Sequence, residues 1–170
     1  MLFELVLKSA SVTALINPKS STAESQSKDL QDTAVAFGHR LRVFHASTDR
    51  DIETVFASLG QIQPGGLVIG ADAFFFSRRD QFVALATRSA LPTVYPWREA
   101  VVAGGLASYG ASITDAYRLA GIYVGRILKG KKPANLPVQQ ATKTELVINL
   151  RTAKALGLNV PNTLIGRAES

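Results

Sequence analysis

Val12-Thr13-Ala14-Leu15-Ile16-Asn17-Pro18 is the stretch whose reading decides the fold. A short apolar run with β-branched ends, closed by Asn-Pro, reads as a buried strand that stops at a loop. Ser21 to Phe37 follows, with Leu30, Ala34 and Phe37 on one helical face and Gly38 positioned as its C-cap. The same phrase then recurs. Leu41 to Phe44 reads as a strand, and Asp49 to Leu59 as a helix whose Ile52, Val55, Phe56 and Leu59 fall at i, i+3, i+4 and i+7. Gly66 to Gly70 is a third strand, Ala73 to Ser89 a third helix, and Pro92 to Tyr95 a fourth strand.

Three strand–helix units in a row imply right-handed crossovers and a parallel sheet buried between two helical layers. The fold class is therefore α/β: a three-layer, Rossmann-like parallel sheet with helices on both faces. Beyond it, Leu106 to Tyr109 fits a further short strand. Ile113 to Leu128 is a strong helix with Ala116, Ala120, Tyr123, Val124 and Ile127 on one stripe. Lys131-Lys132-Pro133 breaks that pattern into a basic connector. The segment Glu145 to Leu150 and a last helix over Thr152 to Leu156, capped by Gly157, complete the chain.

Composition narrows what such a domain does. At 170 residues the chain suits a single domain with a sizeable core. No apolar run approaches the ~18–20 residues of a membrane helix. Met1-Leu2-Phe3-Glu4-Leu5-Val6-Leu7-Lys8 puts an acid inside a short apolar stretch and lacks a basic start and a small-residue cleavage site, so it does not read as a signal peptide. Cysteine is absent, which removes disulfides, thiolate chemistry and cysteine-ligated metals together. The formal charge of +6 is scattered. Its densest cluster, Arg126 to Lys132, ends a helix, where cations suit the dipole, and has no interleaved aromatics to stack bases, so no nucleic-acid partner is expected.

In open parallel sheets ligands bind beyond the carboxyl ends of the strands. Four segments qualify: Asn17-Pro18, His45-Ala46-Ser47, Asp72-Ala73-Phe74, and Tyr95-Pro96-Trp97-Arg98-Glu99. Asp72 reads equally as the partner of a ligand ammonium and as the cap of the helix that starts at Ala73. Asn17 reads as a turn residue holding Pro18, or as one that also touches a ligand. Tyr95 and Trp97 suit either stacking on an apolar ligand or core packing. Arg98 and Glu99 are either ligand groups or a pair facing each other or solvent. Catalytic readings find no support: His45, Ser47 and Asp49 are close only in sequence, and there is no G-x-S-x-G elbow. The glycines of Gly104 to Gly110 match neither a dinucleotide nor a P-loop spacing, and His39 with His45 makes no metal site. No catalytic residue, metal or cofactor is expected.

The stretch Leu91-Pro92-Thr93-Val94-Tyr95, Arg98-Glu99, Gly104-Gly105-Leu106, Ser108-Tyr109-Gly110, Leu128-Lys129-Gly130, Lys132-Pro133, Leu136-Pro137-Val138-Gln139-Gln140, Thr142-Lys143 and Glu145 to Leu158 resembles one family. It is that of ABC-transporter substrate-binding proteins, the group that includes tryptophan- and tyrosine-binding lipoproteins with a type I periplasmic-binding-protein fold. Asn17-Pro18, Gly38 and Asp72 to Ser77 also fit. Family members are about twice as long, and Met1 falls where they carry the helix before the second lobe. The resemblance thus implies a single α/β domain, with 1–103 as the second lobe of a two-lobed protein and 104–170 as return and crossover segments. It implies a solute binder, not an enzyme, that captures an amino acid, aromatic or similar, between lobes and hands it to an ABC permease outside the cytoplasm. Asn17, Asp72, Phe74, Tyr95, Arg98, Glu99, Ser108 and Tyr109 would line this lobe's side of the cleft. Asp72 would hold an α-ammonium and the aromatics would flank a ring. The competing expectation is a stand-alone or truncated lobe with no tight ligand, which forms a homodimer through the apolar stripe of the helix over Ile113 to Leu128.

Overall fold

The computed structural model describes residues 2–5, 11–139 and 143–168, apart from the side chain of Phe3. Gln140 and Thr142 of the family-like string, and half of the Met1 to Lys8 stretch, lie outside them. The elements are α1 (Leu2–Leu5), β1 (Val12–Ile16), α2 (Ala23–Ala36), β2 (Leu41–His45), α3 (Asp49–Ile62), β3 (Gly66–Ile69), α4 (Ala73–Ser77), α5 (Arg79–Arg88), β4 (Thr93–Tyr95), α6 (Arg98–Val102), β5 (Ala107–Ala111), α7 (Ile113–Leu128), β6 (Thr144–Ile148), α8 (Leu150–Ala155) and α9 (Asn162–Ile165). The strands form one sheet in the order β2-β1-β3-β4-β5-β6.

Every residue of β1 is buried. The strand pairs parallel with β2 on one edge and β3 on the other, so its polar backbone is satisfied while both faces stay apolar. Leu15 joins Leu67 and Ile69 of β3, Ile52 and Leu59 of α3, and Phe75 and Phe82 of α4 and α5 in one core layer. Val12 joins Leu2, Val94, Leu106, Leu146 and Leu164 in the layer on the opposite side. Both helical layers predicted from the pattern are therefore present.

Local chemistry fixes the helix ends. Thr48 and Asp51 form a capping box at α3: the Asp51 amide donates to Thr48 Oγ1 at 3.2 Å, and Asp51 Oδ2 accepts from the amides of Thr48 (3.0 Å) and Ser47 (2.9 Å). The four periodic residues Ile52, Val55, Phe56 and Leu59 are all buried.

Two expectations change. The helix over Ala73 to Ser89 is two helices, with the axis broken at Arg78 (φ −108°, ψ 13°). There the guanidinium turns to α3 and grips Asp49, Nε to Oδ1 at 2.6 Å and Nη2 to Oδ2 at 3.1 Å. The sheet is not parallel throughout. Strand β6 runs antiparallel to β5, because α7 leaves and returns at the same end of the sheet: the Ser112 amide donates to the Lys143 carbonyl at 2.9 Å, and Ala111 pairs with Thr144. The helix α7 itself buries none of its residues. No helix among the described residues is long and apolar enough to cross a membrane.

Gly110 marks the tightest point of this return. A Cβ there would collide with the carbonyl of Pro96, which is backbone and cannot swing aside. Gly110→Ala is expected to destabilise the domain by about 1–3 kcal/mol in urea unfolding. A second expectation concerns acid. The Ser47 amide, the Thr48 side chain and the Thr48 amide hold the Asp51 carboxyl below its ordinary 3.8. A depressed folded-state pKa stabilises the fold above the unfolded value, and the gain is lost as pH falls through the folded one. The stability gap between the parent and Asp51→Asn should therefore close as pH drops from neutral to below about 3.

Candidate functional site

The chain runs from β1 outward to β2, then back past β1 to β3 and on to β4 and β5. The connections after β1 and β3 thus depart in opposite directions, and a crevice opens between them at the carboxyl end of the sheet. Asn17 closes β1 and Asp72 closes the loop after β3. The structure brings these two together. Asn17 Nδ2 donates to Asp72 Oδ1 at 2.9 Å, and Asn17 Oδ1 accepts from the Lys19 amide at 3.0 Å, which fixes the orientation of the amide. Asp72 Oδ1 also accepts from the amides of Phe74 (3.0 Å) and Phe75 (3.2 Å), so the residue caps α4. All three of these bonds fall on Oδ1, and Oδ2 accepts none among the described residues.

Three phenylalanines follow. Phe75 points into the core and meets Phe82 edge-on at 5.2 Å, while Phe74 and Phe76 remain half-buried. Each of the latter carries a guanidinium over its face: Arg78 over Phe74 and Arg79 over Phe76, both at 5.1 Å. Trp97, at the end of β4, meets Phe76 edge-on at 5.3 Å. The crevice is therefore bordered by a fixed amide–carboxylate pair and an aromatic ledge stiffened by arginine.

The remaining predicted residues lie apart from the Asn17–Asp72 pair. Tyr95 is buried at 1% exposure, and its ring lies against Gly105, on the loop that enters β5 at the amino end of the sheet. It packs into the core instead of bordering the crevice. Its buried hydroxyl lies beside that of Thr93, which donates to the Leu91 carbonyl at 2.9 Å. Burial pushes the phenol above its ordinary value. Ser108 is buried inside β5 opposite Val147. Arg98 and Glu99 do open α6 at the carboxyl end, but Arg98 faces Glu145, Nη1 to Oε2 at 3.9 Å, in place of its sequence neighbour. Tyr109, 53% exposed on β5, lies beyond the paired Asn17 and Asp72.

One residue of this region carries no sequence signal. Gln26 of α2 reaches across to Ala71: its Nε2 donates to the Ala71 carbonyl at 3.0 Å and its Oε1 accepts the Ala71 amide at 2.8 Å. The side-chain amide thus imitates a neighbouring strand and holds the loop that presents Asp72. A polar residue on a polar helix face gives no hint of such a contact, because the partner lies 45 residues away.

An open, mostly parallel sheet with a crevice at the switch between β1 and β3 defines the doubly wound class of α/β ligand-binding domain. The family model described as ABC transporter substrate binding protein matches residues 2–170, and the chain belongs to that family. Among solved structures it is similar to a conserved domain protein of Vibrio cholerae O1 biovar El Tor, at 26% identity and TM-score 0.84 over 99% of this chain and 57% of that one. An ABC domain from Streptococcus pneumoniae in complex with L-Trp gives 22% identity and TM-score 0.84 over 98% of this chain and 57% of that one. A ligand-free, open substrate-binding protein with adhesive properties from Clostridium difficile gives 21% identity and TM-score 0.63 over 90% and 52%. The chain thus spans a little over half the length of the structures it matches. No curated protein matches it.

Replacing Gln26 by Ala is expected to cost about 1–3 kcal/mol, the net worth of two ordinary intramolecular hydrogen bonds. It should also speed hydrogen exchange at the Ala71 amide without affecting exchange in β4 and β5.

Proposed function

We propose that this chain supplies one wall of a cleft that captures a small molecule, an amino acid that is aromatic or similar, for an ABC importer acting outside the cytoplasm. The observation that carries the reading is the state of Asp72. Its Oδ1 is committed to Asn17 and to the start of α4, while Oδ2 takes no hydrogen bond among the described residues. A carboxylate held rigidly by one oxygen is preorganised to meet an ammonium with the other, and charge-assisted bonds of this kind are the stronger class. Phe74, stiffened by Arg78, offers a flat apolar face two residues on. Support for a solute of this type comes from the family and from the L-Trp complex of the similar pneumococcal domain. Arg98 and Glu99 border the same end of the sheet and extend the polar rim. Tyr95, Ser108 and Tyr109 are left out of this site.

A wall on one side only gives a ligand few contacts, and few contacts give weak binding. Titration of the 170-residue chain with tryptophan or tyrosine is therefore expected to saturate in the millimolar range, with amide shifts confined to residues 17–20 and 71–76. Asp72→Asn keeps an acceptor for the α4 cap but loses the charge, and should abolish the shifts. Saturable shifts that survive in Asp72→Asn, or none in the parent, would overturn the reading.

A second reading has its own observation. Tyr117, Val124 and Leu128 of α7 are 75%, 55% and 81% exposed, an apolar display that seldom stays open on a monomer. We infer that α7 docks on a second copy of the chain. Light scattering is expected to give twice the 18.2 kDa chain mass, falling to one chain in Tyr117→Lys/Leu128→Lys with the fold intact by circular dichroism. A parent mass of one chain at micromolar concentration excludes the dimer.

A further inference from the structure

We propose that Asp49, the first residue of α3, is a positioning residue for the solute site: acting through Arg78, it fixes the Phe74 ring as the site's aromatic platform. This role rests on the reading of the crevice given above, and it names the residue that sets the preference for a ligand with a ring. Asp49 itself touches no part of the Asn17–Asp72 pair.

Phe74 is gripped at three points. Its amide donates to Asp72 Oδ1 at 3.0 Å, its carbonyl accepts from Ser77 Oγ at 2.7 Å, and the Arg78 guanidinium lies 5.1 Å from its ring centre. The guanidinium is in turn fixed through all three of its nitrogens. Nε donates to Asp49 Oδ1 at 2.6 Å, Nη2 to Asp49 Oδ2 at 3.1 Å, and Nη1 to Ser77 Oγ at 3.1 Å. A planar fork held by two parallel bonds and a third cannot turn without breaking them. The face that Arg78 presents to Phe74 is therefore set by a carboxylate 29 residues away in the chain. Bonds from Arg78 also hold that carboxyl below its ordinary 3.8, so the pair stays ionised at neutral pH.

The neighbouring stack supplies the contrast. Arg79 lies over Phe76 at the same 5.1 Å, but its fork makes a single bond, Nη1 to the Phe76 carbonyl at 3.3 Å, and Asp80 stands off at 3.9 Å. Phe76 is steadied by Trp97 instead, which meets it edge-on. The two-pronged anchor thus falls on the ring nearest in sequence to Asp72. A purely stabilising role fits it poorly: the side chains of Asp49 and Arg78 are 53% and 39% exposed, and ion pairs this open add little to stability. Bidentate geometry fixes orientation at any exposure.

The test has two arms on the full chain. In the first, 4-fluorophenylalanine is placed at position 74 and its fluorine resonance is read without ligand. The line is expected to shift and broaden in Asp49→Asn and to stay unchanged in Asp80→Asn. The charge swap Asp49→Arg/Arg78→Asp keeps a bridge between α3 and the α4–α5 break but takes the guanidinium off the ring. It should recover the urea midpoint lost in Asp49→Asn while the fluorine line remains displaced. In the second arm, tryptophan and alanine are titrated and followed by amide shifts at residues 71–76. Asp49→Asn and the swap should each weaken tryptophan roughly fivefold, the worth of one oriented aromatic contact, and leave alanine, which has no ring, unchanged. Three outcomes overturn the proposal: a parent-like fluorine line in Asp49→Asn, a swap that recovers the line and the tryptophan affinity, or equal weakening of tryptophan and alanine. If tryptophan does not bind the parent at all, the solute reading falls, and the fluorine line alone decides whether Asp49 positions the ring.

Discussion

Everything in this molecule follows from the need to satisfy β1 on all four sides. Its two edges must find hydrogen-bond partners and its two faces must find apolar cover. The partners are β2 and β3, and they sit on opposite edges. With right-handed crossovers, that arrangement sends the helices after β1 and after β2 to opposite faces of the sheet. The divergence of the loops after β1 and β3 is thus a by-product of burying one strand, and it leaves a gap lined by backbone and loop side chains. Asn17 and Asp72 fill that gap as a hydrogen-bonded pair. The crevice and the core have a single cause.

Much of this was legible in the sequence because burial leaves a strong periodic trace. The apolar run at residues 12–16 and the quartet Ile52, Val55, Phe56, Leu59 read directly into a strand and a helix face. What the pattern could not show was direction. Glu145 to Leu150 has the look of a strand whichever way it runs, and only the closure between Ser112 and Lys143 makes it antiparallel. The break at Arg78 was equally invisible, since the partner that draws the guanidinium aside, Asp49, is 29 residues distant.

The site was less legible than the fold. Asp72 reads in the sequence both as a cap and as a ligand group, and the structure shows the cap through Oδ1 while Oδ2 accepts no hydrogen bond among the described residues. Tyr95 is the last residue of β4, a position that points to the crevice, yet its side chain turns back toward Gly105. A residue's place along a strand says which end its backbone occupies, not which way a long side chain leans. Gln26 had no signature at all, because side-chain amides that bind distant backbone are chosen by tertiary geometry alone.

The join between Ser112 and Lys143 has a consequence for modularity. Because Ala111 and Thr144 face one another in register, everything between them is an excursion whose two ends already meet. Bridged by a tight turn, β5 and β6 would become an ordinary hairpin, and no strand of the sheet would need to shift. Past Ile113, which packs on the core, the excursion is therefore a cassette: it can be lengthened or exchanged at a cost that depends mainly on loop closure. Chain topology has set aside one part of this molecule that evolution, or an engineer, can vary without renegotiating the rest.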